Sequence, residues 1–183
     1  RSEIEAIELN FNLFWMINAA AATTAANLLL PLGWRQILIS FDQVLPVGPA
    51  VRLWCLAQTA RYLPTGLLAI ASRLQLATKV GISRSVTATS LVIETAALFA
   101  WALLVCAIFV PSVTVPMGIR WLLGVICALG LVNSPWLISF VFLRLSRLKK
   151  LTLPAPHTGS IAKSVTLLGA SVAARAIGTT CLA

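Results

Sequence analysis

Polar interruptions cut this chain into apolar runs of two lengths, and the length of a run decides what it can become. Residues 9–34 and 86–110 are long apolar runs; the first has no charge, and the second has only Glu94. Residues 117–134 carry only Arg120, close enough to the start of the run for its head to snorkel out of an apolar phase. A helix rises about 1.5 Å per residue, so roughly 20 apolar residues cross a hydrocarbon core of about 30 Å. The three runs therefore predict membrane-spanning helices, the second closed by Pro111 and the third opened after Pro116 and ended by Pro135. A fourth span is expected to begin near Ser164 and to occupy residues 164–183. The chain opens on Arg1 and stops at Cys181-Leu182-Ala183 inside that last apolar run, the pattern expected of a partial chain. No basic segment precedes residues 9–34, and the run is long enough to span, which argues against a cleaved signal peptide.

Residues 35–84 read differently. Arg35, Asp42, Arg52, Arg61, Arg73, Lys79 and Arg84 divide them into pieces too short to cross, and Pro46, Pro49, Pro64 and Gly66 punctuate those pieces. Short apolar segments of this kind predict interfacial or re-entrant helices. Residues 136–163 mix apolar positions with Arg144, Arg147, Lys149 and Lys150, which predicts a basic helix lying along anionic headgroups, then a loop. Within the first run, Asn12, Asn18, Thr23, Thr24 and Asn27 interrupt an alanine-rich stretch. Small and hydroxylated residues favour helix–helix contact in membranes, so this span is expected to be enclosed by others.

Composition agrees with the pattern. Apolar residues make up 59%, charged residues 10%, and the mean hydropathy is +0.94; in soluble domains about a quarter of residues are charged. The expected fold is an all-α integral membrane protein with about four transmembrane helices plus interfacial or re-entrant ones. The net charge of +9 does not indicate nucleic acid, because the basic residues lie in the gaps between apolar runs and form no patch with exposed aromatics. Eleven of the fourteen Lys and Arg fall within 35–84 and 144–163. Basic residues accumulate on the cytoplasmic side, so residues 1–8 form an extracytoplasmic stub and the chain passes several times through a cell (inner) membrane. The first and fourth spans are both rich in small residues and run in opposite directions, a pattern that would make this chain half of an inverted repeat.

Glu94 is the leading candidate for chemistry. It is the only acid after Asp42, and it stands in the otherwise uncharged run 86–110. A carboxylate at that depth costs a few kcal/mol unless it faces a polar cavity or a cation. Counted from Ser85 and Ser164 as helix starts, Glu94 lies about 14 Å deep and Arg175 about 17 Å deep. Arg175 is thus the expected intramembrane charge partner, by direct approach or through a shared cavity; a purely structural ion pair is the alternative. Arg52, Arg61 and Arg73 recur along the short pieces, and guanidinium forks suit phosphate oxygens, although positive-inside anchoring explains the same spacing.

The remaining residues narrow the choices. Cys55, Cys106, Cys127 and Cys181 have no metal-ligand spacing, and His157 stands alone in a Pro-rich loop. No metal and no cofactor is assigned. Trp34, Trp121 and Trp136 fall at expected span ends, where they read as an aromatic belt. Only five acids exist, and no phosphate loop, nucleophile elbow or HExxH motif is present, so no catalytic residue is assigned.

Trp34-Arg35, Arg61-Tyr62-Leu63-Pro64, Arg73, Gly81-Ile82-Ser83 and Glu94 occur in that order, and Asn133-Ser134-Pro135 precedes the basic stretch. This series resembles the transmembrane region of the lysylphosphatidylglycerol synthase/flippase family over roughly residues 30–150. The resemblance implies a polytopic protein that translocates or handles a phospholipid or polyprenyl-linked lipid. It places Arg61, Tyr62, Pro64, Arg73 and Glu94 around a lipid-handling cavity and says nothing of Arg175. Thr65 stands where many members have glycine, and the aminoacyl-transferring domain of some relatives has no counterpart here. The expected partners are an anionic or polyprenyl-phosphate lipid and an envelope-biosynthesis enzyme. The alternatives are the membrane portion of a lipid-linked glycosyltransferase, with Glu3, Glu5 and Glu8 in an outer acidic loop, and a non-catalytic scaffold.

Overall fold

The computed structural model describes residues 13–60, 67–109, 116–140 and 156–180. Among these there is no strand, and the protein is an all-α membrane protein. Seven helices follow in chain order: α1 Leu13–Ser40, α2 Val47–Thr59, α3 Leu67–Lys79, α4 Arg84–Phe109, α5 Met117–Val132, α6 Ser134–Phe140 and α7 Thr158–Thr180. Three of them, α1, α4 and α7, are long and apolar enough to cross a membrane; the bent pair α5–α6 would make a fourth. Arg61 and Tyr62, the stub at 1–8 and the basic residues Arg144 to Lys150 lie outside the described residues.

α1 and α7 form the most extensive helix pair. They are antiparallel: the His157 N–H donates to the Ser40 carbonyl at 2.9 Å, and the Ser171 hydroxyl donates to the Ala26 carbonyl at 2.9 Å. Near the other end, Gly178 lies against Ala19, Ala22 and Thr23. Small residues let the backbones approach, which is what holds helices together where lipid supplies no hydrophobic drive. The alanine-rich stretch of α1 is this contact surface. A third contact locks α7 to α4: the Trp101 indole N–H donates to the Val165 carbonyl at 3.0 Å, and a Cβ on Gly169 would stand 2.4 Å from the Trp101 ring. Only glycine fits there.

Helix ends are placed differently from the sequence expectation at three points, each for a local reason. α1 runs on past Trp34 to Ser40, with the Arg35 guanidinium hydrogen-bonded in place: its Nε donates to the Leu45 carbonyl at 2.6 Å. Asp42 then turns the chain in the left-handed region at φ 59°. α7 starts at Thr158, six residues before Ser164, held by the bond to Ser40 and by His157 Nε2 lying 3.1 Å from Asp42 Oδ1. α5 ends at Val132 and the chain bends by 68° into α6. Pro135 has no N–H to offer the Leu131 carbonyl, and the Ser134 hydroxyl donates to that carbonyl instead at 2.7 Å. Residues 134–140 therefore continue a broken helix. α5 returns along α4, with Arg120 donating to the Ala107 and Ile108 carbonyls at 3.2 and 3.0 Å, so this cation caps the end of α4.

Between α1 and α4, α2 and α3 make a hairpin. Each has 13 residues, about 20 Å of helix, too short to cross. Its two ends share one core cluster with the end of α1 and the start of α4, through Phe41, Leu45, Ala77, Ile82 and Val86. Its middle reaches Glu94, ten residues into α4. Both ends of the α2–α3 pair therefore lie together beside the end of α1 and the start of α4.

Candidate functional site

One side chain from each of the first four helices meets at a single buried node. Trp34 comes from α1, Trp54 from α2, Arg73 from α3 and Glu94 from α4. Arg73 Nη1 and Glu94 Oε2 are 2.8 Å apart, with side chains only 8% and 6% exposed. The Arg73 guanidinium lies 4.5 Å from the Trp34 ring centroid and 5.8 Å from that of Trp54. The Trp54 indole N–H donates a long bond of 3.4 Å to Glu94 Oε1, and the Trp34 indole N–H donates to Ser90 Oγ at 3.0 Å. Ser90 and Glu94 are four residues apart on α4, so both face the node. The indole cover and the long Trp54 bond offset part of the desolvation that makes a buried ion pair expensive.

Two expectations change at this node. Trp34 is fully buried beneath Arg73 and is not part of an interfacial belt; Trp121 and Trp136, by contrast, are exposed on the outer surface of α5 and α6. Glu94 is paired with Arg73 and not with Arg175. The reason lies in helix registration. With α7 beginning at Thr158, Arg175 stands about 26 Å along its helix, while Glu94 stands about 15 Å along α4.

Arg175 and Glu94 nevertheless line one cavity. Its volume is about 920 Å³, and its wall includes Asn27, Gln58, Thr59, Thr95 and Ser171 beside Arg73, Glu94 and Arg175. That falls within the span of about 300–1,000 Å³ typical of ligand sites. Arg175 Nη2 donates to Asn27 Oδ1 at 2.8 Å, and no carboxylate pairs with Arg175 among the described residues. Asn27 has a second peculiarity: Pro31, four residues on, has no N–H, so the Asn27 carbonyl lacks its usual intrahelical donor. A polar break thus opens on the cavity inside a span.

The two guanidinium groups occupy separate stations. Trp34 touches Arg73 and Asn27 touches Arg175, and these α1 residues are seven apart, or about 10 Å along the helix axis. Arg73 is neutralised by Glu94 and covered by indole. Arg175 is exposed to the cavity and held only by a neutral amide. The sequence points to all three of these charges and to Trp34 only as half of the Trp34-Arg35 pair and as a span-end residue; for Asn27, Trp54 and Ser90 it offers no site signal beyond the four-residue spacing of Ser90 and Glu94.

The other candidates do not join the site. Arg52 is on the exposed side of α2. His157 faces Asp42 at the α1–α7 junction, with both side chains about two-thirds exposed, and belongs to the fold. Cys55 is a free thiol that lines the cavity, while Cys106 and Cys127 lie on α4 and α5. A smaller hollow of about 330 Å³, lined mainly by Trp101, Leu104, Leu131, Pro135 and Val165, lies between α4, α5, α6 and α7 and contains no charged residue. Comparison with protein-family models, with curated proteins and with solved structures finds no match to this chain.

Proposed function

We propose that this chain is the membrane part of a flippase-like protein that handles an anionic phospholipid or polyprenyl-phosphate-linked lipid in an inner cell membrane. The carrying observation is a roomy, largely apolar cavity between spanning helices whose wall carries guanidinium groups at two levels and several polar side chains. Acyl chains have no need of such a wall, and a phosphate headgroup does. In this reading the headgroup travels in the cavity and its tails remain in lipid. The resemblance described from Arg61-Tyr62-Leu63-Pro64, Arg73 and Glu94 points the same way, and an envelope-biosynthesis enzyme would supply or consume the lipid.

The experiment is translocation of a headgroup-labelled phosphatidylglycerol in proteoliposomes of the purified protein, with a plug placed in the cavity. Thr95 and Ala102 are exposed on the cavity face of α4, so tryptophan at either position fills space without touching the ion pair. Thr95→Trp and Ala102→Trp are expected to slow translocation about tenfold or more, the loss that follows when a positioned route is misaligned. Wild-type rates no faster than protein-free vesicles, or plugged variants that match wild type, would sink the proposal.

A second reading has its own support. Arg73 is already neutralised and lies within reach of two indole rings, which is what a structural staple requires. A scaffold that seats an envelope enzyme would keep that staple and tolerate both plugs.

A further inference from the structure

We infer that Arg175 is the phosphate-binding station of the cavity, and that the cavity selects lipids whose headgroup carries one net negative charge on a phosphodiester. This rests on the proposed lipid-handling role and adds the substrate class. Among the described residues the cavity wall holds three charged side chains: Arg73, Glu94 and Arg175. Arg73 and Glu94 cancel at 2.8 Å. One positive charge is left over, and it is on Arg175.

The surroundings of Arg175 suit an incoming oxyanion. One of its terminal nitrogens is held by Asn27 Oδ1 at 2.8 Å, which fixes the group against α1 while the residue stays exposed to the cavity. Guanidinium presents its donors as a planar fork matched to two phosphate oxygens. A phosphodiester makes that contact and balances the net charge of the described wall. A zwitterionic headgroup brings its own cation to a wall that already has an unpaired one. A pyrophosphate brings more negative charge than one guanidinium can balance, and in a low-dielectric site the excess goes uncompensated. Arg73 does not serve equally, because a phosphate there would have to displace Glu94 and leave a buried carboxylate unpaired.

Binding of short-chain phosphatidylglycerol, phosphatidylcholine and a polyprenyl pyrophosphate to the purified protein in neutral detergent, read by native mass spectrometry, tests this. Wild type is expected to prefer phosphatidylglycerol by about tenfold or more, because both headgroups present the phosphodiester but only phosphatidylcholine brings a cation to an already positive wall. Arg175→Gln should lose the preference by weakening phosphatidylglycerol more than phosphatidylcholine, and Arg175→Lys should largely restore it. An unchanged preference in Arg175→Gln overturns the assignment, as does a wild-type protein that binds all three alike. Dimethyl phosphate serves as the lipid-free phosphodiester: if it displaces phosphatidylglycerol at equal concentration, the ligand is a soluble anion and the lipid class is wrong. Translocation separates this inference from the broader reading. Label movement with no charge preference ends the inference alone; an Arg175-dependent preference without any movement supports the inference and ends the translocation role.

Discussion

Removing the carboxylate of Glu94 should cost far more than removing the whole ion pair. In Glu94→Gln the Trp54 indole keeps a carbonyl oxygen to donate to, but the Arg73 guanidinium, with a side chain 8% exposed, loses its counter-charge. An unpaired buried charge of this kind costs about 3–5 kcal/mol. Trp34, stacked at 4.5 Å, offsets part of that, since a desolvated cation–π contact contributes about 2 kcal/mol. The net expectation for Glu94→Gln is a loss of about 1–3 kcal/mol. Arg73→Met leaves the carboxylate buried without the aromatic relief and should lose about 3–5 kcal/mol. The double variant Arg73→Met/Glu94→Gln keeps comparable volume and buries no charge, so it should stand within about 1 kcal/mol of wild type. Reversible unfolding in mixed micelles with increasing denaturing detergent, followed by far-ultraviolet circular dichroism, gives the four stabilities of the cycle. The coupling between the sites should exceed about 2 kcal/mol. If Glu94→Gln costs under about 0.5 kcal/mol, or the two single losses simply add, the pair is not the buried node described.

Two further predictions concern packing and topology. Gly169→Ala should destabilise by about 1–3 kcal/mol in the same unfolding assay, because its Cβ would meet the Trp101 ring, while Gly130→Ala, with nothing within 4 Å, should change stability by less than about 0.5 kcal/mol; equal effects would contradict the α4–α7 contact. Single cysteines at Val44 and Gly159, at the joined ends of α1 and α7, should react with a membrane-impermeant thiol reagent from one side of the membrane, and a cysteine at Met117, at the far end of α4–α5, from the other. Labelling of all three from one side would refute the arrangement of spans.

The sequence by itself determined the solvent and the number of crossings to within one. A charge-free run around α1, and runs around α4 and α5 with only Glu94 and Arg120, leave no option but helix in lipid, since every backbone group there must be satisfied within its own segment. It also marked α2 and α3 as pieces too short to span, because charges and prolines bound them. The alanine-rich stretch was legible as a contact surface for the same local reason: residue size is written in the sequence. Partners were not. Glu94 was visible as a costly carboxylate, yet whether Arg73 or Arg175 met it depended on how far each helix runs before it starts to count depth. That was decided by the bond of His157 to Ser40, which moved the start of α7. Trp34 looked like a belt residue because it falls at an expected span end, and became core because α1 continues to Ser40 and the α2–α3 hairpin folds over it. Apolar length is a one-dimensional quantity; which charges neutralise each other, and which one is left facing the cavity, follows from relative helix registration, and only the assembled tertiary structure fixes that.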